Sequence, residues 1–129
     1  MRHLIGGVIS VALSVAPAWA EEWSCRNKSA EIRCDAKACK VILPDGFTPM
    51  DLTVKTTGAV SLCAYSGCWA GQASGTLRAG RYFTVIGLKL PWSGTGGSTG
   101  HVAATIDTEA RVAIILTGGF AHPMTCTKR

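Results

Sequence analysis

Short apolar runs separated by Gly, Pro, Asp and Ser make up the chain after residue 20. None of them keeps the apolar period of about 3.6 residues that marks a helix, and β-branched and aromatic residues recur instead. The pattern predicts strands over Trp23 to Asn27, Glu31 to Cys34, Cys39 to Leu43, Asp51 to Lys55, Val60 to Ala64, Cys68 to Ser74, Arg81 to Leu90, Val102 to Asp107, Arg111 to Thr117 and Pro123 to Thr127. We expect an all-β fold, a small antiparallel barrel or a nearly closed meander of about eight strands, because closure removes exposed strand edges.

The strand from Arg81 to Leu90 is apolar on both faces in its first half. Such a strand is expected either at the centre of a sheet or with one face against a partner. After it, Asp107-Thr108-Glu109-Ala110 separates two β-rich runs and is typical of a hairpin turn. The two runs flanking this turn are therefore predicted to pair antiparallel.

The first 20 residues have the layout of a signal peptide. Arg2 and His3 precede an apolar run from Leu4 to Val15, and Ala18-Trp19-Ala20 places small residues at the two positions that a signal peptidase inspects. We expect cleavage after Ala20, which leaves residues 21–129 as a single domain. The apolar run is shorter than the roughly 20 residues that a spanning helix needs. We therefore expect an exported protein without a membrane span, in the bacterial periplasm or secreted.

Basic residues outnumber acidic ones, with 13 Lys and Arg against 8 Asp and Glu and a formal net charge of +5. The cations are spread along the chain. A nucleic-acid-binding protein usually gathers its cations on one helix or interleaves them with aromatic residues, and this chain does neither. We expect no nucleic-acid partner.

Six cysteines behind an export leader indicate structural disulfides. Two pairs have the same spacing, and in each pair the cysteines can face each other across the base of a hairpin. Cys25 and Cys126 lie near opposite ends of the mature chain. Although six cysteines allow about 15 pairings, we predict the three bridges Cys25–Cys126, Cys34–Cys39 and Cys63–Cys68.

The residues give little basis for catalysis, a metal or a cofactor. The cysteines lack the CxxC spacing of redox and zinc sites. A triad of Ser66 or Ser93 with His101 and Asp107 can be drawn, but no Gly-x-Ser-x-Gly elbow accompanies it. We expect no enzyme activity, no cofactor and no metal site.

Two loops are the candidate binding elements. At the tip of the Cys63–Cys68 hairpin, an aromatic contact surface on a cross-linked loop would lose little freedom on binding; the alternative is that Tyr65 and Trp69 cover the mouth of the barrel. The Gly-rich loop from Ser93 to Gly100 either contacts a ligand or is a tolerated hairpin tip. The candidate partner-binding residues are Tyr65, Ser66, Gly67, Trp69, Trp92, Ser93, Gly94 and His101.

Trp23-Ser24-Cys25, the cysteine at position 126, and Trp92-Ser93-Gly94 followed by an Ala-rich strand from Val102 form one further pattern. In these features the chain resembles the small periplasmic inhibitors of c-type lysozyme found in Gram-negative bacteria. The resemblance implies an eight-stranded β-barrel that places loop residues in the lysozyme cleft. The family's loops carry a Ser-Gly-x-x-Tyr segment and a lysine after a tryptophan, and the positions that match here are Ser66, Gly67, Trp92 and Gly94.

We therefore expect a binding protein, monomeric or a small homo-oligomer, and most specifically a lysozyme inhibitor that acts through loops at one end of the barrel. The cations available to hydrogen-bond a catalytic carboxylate are Arg78, Arg81 and Lys89. The alternative function is a lipocalin-like barrel that holds a small ligand, or an envelope-associated barrel with another partner.

Overall fold

The computed structural model describes residues 20–129, so the predicted leader lies outside the described residues apart from Ala20. Strands make up most of the described chain, with a single turn of 3-10 helix at Pro44–Gly46. None of its helical segments is long and apolar enough to cross a bilayer. The strands are β1 (Glu22–Arg26), β2 (Glu31–Cys34), β3 (Cys39–Ile42), β4 (Asp51–Lys55), β5 (Ala59–Ala64), β6 (Gly67–Gln72), β7 (Gly75–Ala79), β8 (Tyr82–Pro91), β9 (Thr99–Asp107), β10 (Val112–Thr117) and β11 (Phe120–Lys128).

The strands form one antiparallel sheet, as the alternating pattern predicts. The hydrogen-bonded order is β6-β5-β4-β1-β11-β10-β9-β8-β7, and β2 and β3 form a side branch that pairs with the start of β11. The predicted hairpin at Asp107–Ala110 is confirmed, because Val112 pairs with Asp107 across it. The first and last strands of the chain are also neighbours, with Cys25 opposite Cys126.

The expected all-β antiparallel fold is confirmed. The sheet is an open half-barrel of eleven strands, however, and not a barrel or nearly closed meander of about eight strands. β6 and β7 are the two ends of the order, although only two residues separate them in the chain. Beyond the β7–β8 ladder, an isolated bridge between Trp69 and Trp92 joins β6 to the residue after β8. Between ladder and bridge the register of β8 is irregular from Gly87 to Leu90, where Lys89 has a φ of +51°. The bulge lies in the ladder between β8 and β9. At the open seam, the pairing of β6 with the end of β8 is limited, among the described residues, to the isolated bridge.

The concave side of the sheet holds the core. Inward-facing positions of successive strands supply it, and its most deeply buried members, each at 0% exposure, are Leu52, Val54, Leu62, Val85, Ile106 and Ile115. These aliphatic side chains pack against one another and fill the interior. The filled interior does not favour the lipocalin-like alternative, which needs an internal cavity.

The three disulfides are those expected from the sequence: Cys25–Cys126, Cys34–Cys39 and Cys63–Cys68. The first joins β1 to β11 inside the core, where both cysteines are buried. Each of the other two closes a hairpin, β2–β3 or β5–β6, at a cross-strand pair. Because all of the cysteines are paired, none is free to act as a thiol.

Candidate functional site

The β5–β6 hairpin ends in a turn that exposes one aromatic side chain. The ladder continues beyond the disulfide to Ala64 opposite Gly67, so the turn itself is only Tyr65 and Ser66. Tyr65 is 81% exposed, more than any other large hydrophobic residue of the described chain. The cross-linked hairpin therefore presents the Tyr65 ring to solvent. Trp69, by contrast, is half-buried and packs against the core.

Ser93 fastens the second predicted loop to this hairpin. Its Oγ accepts a hydrogen bond from the backbone N–H of Cys68 at 2.8 Å, and its own N–H donates to the carbonyl oxygen of Cys68 at 2.9 Å. The two loops thus meet at one end of the half-barrel, although about 25 residues of chain separate them. We call residues 63–68 and 93–98 together the tip.

Two tryptophans pack beneath the tip. The rings of Trp69 and Trp92 are tilted by 50° with centroids 4.5 Å apart, and both side chains are half-buried. A Cβ added at Gly67 would lie 2.8 Å from the Trp92 ring, and one at Gly100 would lie 2.7 Å from Trp69 Nε1. Because real Cβ atoms do not approach so closely, glycine is needed where the backbone passes these rings. The two tryptophans therefore support the tip from below.

Gly94 completes this contact between the loops. A Cβ there would lie 2.7 Å from the carbonyl oxygen of Ser66 and would also collide with the indole nitrogen of Trp92. Ser66, Gly67, Trp92 and Gly94 consequently lie together in the fold. The sequence alone did not place them side by side.

His101 lies away from the tip. It is exposed on the outer side of β9, where its Nδ1 accepts a hydrogen bond from the backbone N–H of Lys89 at 3.2 Å. Asp107 stands at the other end of the same strand, about 20 Å away at the usual rise of 3.3 Å per residue. The triad drawn from the sequence, with Ser66 or Ser93, is therefore not assembled.

The cations proposed to reach a partner's carboxylate are not at the tip either. Arg81 forms ion pairs with Asp107 and Glu109, and Arg78 pairs with Glu21, all at the end of the sheet opposite the tip. The hydrogen bond from Arg81 lowers the pKa of Asp107, and the turn amide of Ala110 adds to the effect. Lys89 lies in the β8 bulge. The expectation that Arg78 or Arg81 acts together with the tip is therefore corrected by the topology.

No charged side chain lies within the tip, which is built from small, hydroxyl-bearing and aromatic residues. Most ion pairs of the described residues gather at the opposite end, around Glu21 and Glu22 from β1 and its preceding residue. The hydrogen bond and charge of Lys128 lower the pKa of Glu21 there. Among residues 20–129, no group of three or more His, Cys, Asp or Glu is placed to hold a metal ion.

The sequence did not reveal one buried polar cluster beside the β2–β3 branch. His122 is 1% exposed, and its Nδ1 lies 3.1 Å from the amide nitrogen of Asn27. The oxygen of the same amide accepts a hydrogen bond from the backbone N–H of Met50, which fixes the amide orientation. His122 Nδ1 is therefore an acceptor, and its neutral ring carries the proton on Nε2. Only a polar residue at an inward-facing position of β11 could have indicated this cluster.

We compared the chain with protein-family models, with curated proteins and with solved structures, and none of them matches it.

Proposed function

We propose that this protein is exported to the bacterial periplasm and binds another protein through the tip, most specifically inhibiting a c-type lysozyme. The observation that carries the proposal is the meeting of Ser66, Gly67, Trp92 and Gly94 at one end of the sheet, beside the exposed ring of Tyr65. Three disulfides in a chain of 129 residues also favour an oxidising compartment.

The construction of the tip favours binding without large rearrangement. Its backbone is fixed by the Cys63–Cys68 bridge and by the paired hydrogen bonds between Cys68 and Ser93. A side chain that is immobilised on binding loses roughly 0.5–1.5 kcal/mol of free energy, and a fixed backbone avoids adding to that loss. Tyr65 then supplies a rigid aromatic contact with a hydroxyl group at its end.

The charge distribution bears on a basic partner such as a c-type lysozyme. Repulsion between two basic proteins slows their encounter. Here the tip itself carries no charged side chain, and the nearest ion pair, Arg26 with Asp51 beside Cys63, balances its own charges. The ion pairs of Arg78, Arg81, Lys128 and Arg129 lie at the far end with their acids. An approach with the tip first keeps these cations farther from the partner than a sideways approach does.

The chemistry of the tip suits a cleft lined by carboxylates. Tyr65 and Ser66 are exposed and carry hydroxyl groups, which donate hydrogen bonds to carboxylate oxygens. Inhibition would follow from occupation of the cleft and needs no reaction on this chain.

Lysozyme turnover measured with stoichiometric oxidised protein tests the proposal. We expect Tyr65→Ala to weaken inhibition at least tenfold, which corresponds to about 1.4 kcal/mol, in the range of an aromatic anchor at an interface. Tyr82→Ala is the matched control, because Tyr82 is also exposed but lies at the other end of β8. Full lysozyme activity in the presence of excess unmodified protein would refute inhibition, and equal losses in the two variants would refute the role of the tip.

A further inference from the structure

A row of apolar side chains crosses the outer side of the sheet. Cross-strand pairing connects Ile86 of β8 to Ala103, Ala103 to Leu116, and Leu116 to Ala121 of β11. The same row continues into the β2–β3 branch, because Ala121 pairs with Ile32 and Ile32 with Val41. Directly opposite residues of an antiparallel sheet point to the same side. Six strands thus contribute to one continuous apolar surface.

Neighbouring residues broaden this row into a face. We define the lateral face by the row together with Leu88, Val112 and Ile114, which are 54%, 44% and 49% exposed. Leu116 and Val41 are exposed to 56% and 65%. Two shallow grooves border the face, one of about 320 Å³ beside Leu88 and Phe120 and one of about 440 Å³ beside Ile114 and Pro123. So many exposed aliphatic groups on one surface mark an interaction site.

Polar groups within the lateral face satisfy each other. The hydroxyl groups of Thr84 and Thr105 lie 2.9 Å apart and form one hydrogen bond. Their removal from water therefore costs less than that of two unpaired hydroxyls. The acids at the Asp107 end of the face are also paired, since Asp107 and Glu109 both form ion pairs with Arg81.

The cations without an ion pair among the described residues lie mostly around this face. Lys28 lines the larger groove, and Lys37 lies in the turn of the β2–β3 hairpin. Lys89 and Arg111 are next in the chain to two residues of the face, Leu88 and Val112. Lys40 is the exception. It lies opposite Arg33 in the β2–β3 ladder, so its side chain is on the other side of the hairpin from Val41 and points away from the lateral face. The remaining cations are held in ion pairs: Arg26, Arg33, Lys55, Arg78, Arg81, Lys128 and Arg129.

We propose that the lateral face docks on the surface of an anionic phospholipid bilayer. Its centre is aliphatic, the ring of Tyr82 lies at its margin, and unpaired cations stand outside it. A bilayer surface presents hydrocarbon, interface and anionic headgroups in the same order. The proposal goes beyond the proposed function, because the tip stays free when the sheet lies on its side.

The charges distinguish this occupant from a second copy of the chain. A symmetric dimer through the lateral face would bring two sets of unpaired cations towards each other. The composition also differs from that of a protein interface, where the buried centre is enriched in Trp, Tyr, Met and Arg. The centre of the lateral face holds only Ile, Leu, Val, Ala and Thr.

Co-sedimentation with vesicles tests the proposal. We expect the oxidised protein to bind vesicles of equimolar phosphatidylcholine and phosphatidylglycerol, and to bind far less to phosphatidylcholine alone or at high salt. Leu116→Glu should reduce the partition coefficient at least tenfold. Tyr65→Glu is the control, since Tyr65 is 81% exposed in the β5–β6 turn and lies outside the lateral face. Lys28→Gln should reduce the partition about fivefold, which is the conversion of about 1 kcal/mol per surface cation.

Three outcomes would overturn the proposal: no binding to the anionic vesicles, equal binding to both vesicle types, or equal loss in the two glutamate variants. Both variants keep the same N-terminus, so an apolar leader retained in the purified protein cannot produce a difference between them. Sedimentation velocity adds a further check. A dimer that Leu116→Glu converts to a monomer would assign the face to a second copy instead.

Discussion

The two short disulfide hairpins have the same cysteine spacing and different surroundings. In both, the bridge joins cysteines five residues apart across an antiparallel pair. The β5–β6 hairpin is a full member of the sheet and is held by Ser93 and the Trp69–Trp92 pair. The β2–β3 hairpin contacts the sheet through two residues of β11 and is otherwise largely exposed. Local spacing therefore sets the hairpin, and the rest of the fold decides whether it becomes a rigid tip or a side branch.

Removal of each bridge provides the largest test of this difference. The chain-entropy model assigns the same stabilisation, about 2 kcal/mol, to both loops because their lengths are equal. We expect Cys63→Ala with Cys68→Ala to lower the free energy of unfolding by about this amount. The pair Cys34→Ala with Cys39→Ala should change it by much less, because the β2–β3 branch can loosen without opening the core. Denaturant unfolding measures both, and equal losses would show that the branch folds as one unit with the sheet.

A methyl group at Gly94 tests how closely the two loops of the tip are packed. A Cβ there meets the backbone of Ser66, which cannot move aside as a flexible side chain can. We expect Gly94→Ala to destabilise the protein by about 1.5 kcal/mol, within the range for overpacked sites. Gly75→Ala is the control, because a Cβ at Gly75 has no neighbour within 4 Å and the residue has no positive φ. If the two variants are equally stable, the contact between Ser66 and Gly94 does not hold the tip together.

Most strands were predictable from the sequence, but one strand, β7, was missed. β7 was not predicted because all of its residues are exposed and it has no alternation to detect. It is a strand because β8 pairs with it, which is a property of the whole fold. The open seam was equally hidden, since no apolar pattern indicates that β6 meets the end of β8 in a single isolated bridge.

The site was predictable to a smaller extent. The cysteine spacing identified the hairpin that carries Tyr65, and the glycine-rich segment identified the second loop. The hydrogen bonds between Cys68 and Ser93 could not be inferred, because they follow from the approach of β6 to the end of β8. The sequence also grouped His101 with the tip because it directly follows the glycine-rich loop. In the fold, the alternation along β9 turns its side chain to the outer side of the sheet.

Next to the β2–β3 branch, the buried His122 should make the stability of the protein depend on pH. Burial lowers the pKa of His122, and the charge of Glu31, next in register on β2, acts in the opposite direction. Protonation of Nδ1 would also set two donors, His122 and Asn27, against each other. Since the folded pKa lies below the unfolded value of about 6.5, the unfolded chain binds more protons in that window. Stability is then complete above this pH and falls as the pH drops towards the folded pKa.

Thermal or denaturant unfolding from about pH 7 to about pH 5 measures this effect, which is at most about 1.4 kcal/mol per pH unit. His122→Asn keeps an amide acceptor near the position of Nδ1 but does not titrate, so we expect a flatter profile with lower overall stability. His101→Gln is the control, because His101 is exposed on β9. An unchanged slope in His122→Asn would show that His122 is not the source of the acid sensitivity.

The smallest expected effect concerns the hydroxyl group of Ser93. Ser93→Ala removes the acceptor of the Cys68 N–H and leaves the backbone bond from Ser93 to Cys68 in place. The loss should be about 1 kcal/mol, the net value of one hydrogen bond at a partly exposed site. Ser98→Ala, in the same loop, should change stability little, since no side-chain hydrogen bond of Ser98 is present among the described residues. Amide hydrogen exchange at Cys68 provides the sharper readout, because protection there should fall in Ser93→Ala and stay unchanged in Ser98→Ala. Unchanged protection in both would mean that the disulfide holds the β5–β6 hairpin without help from Ser93.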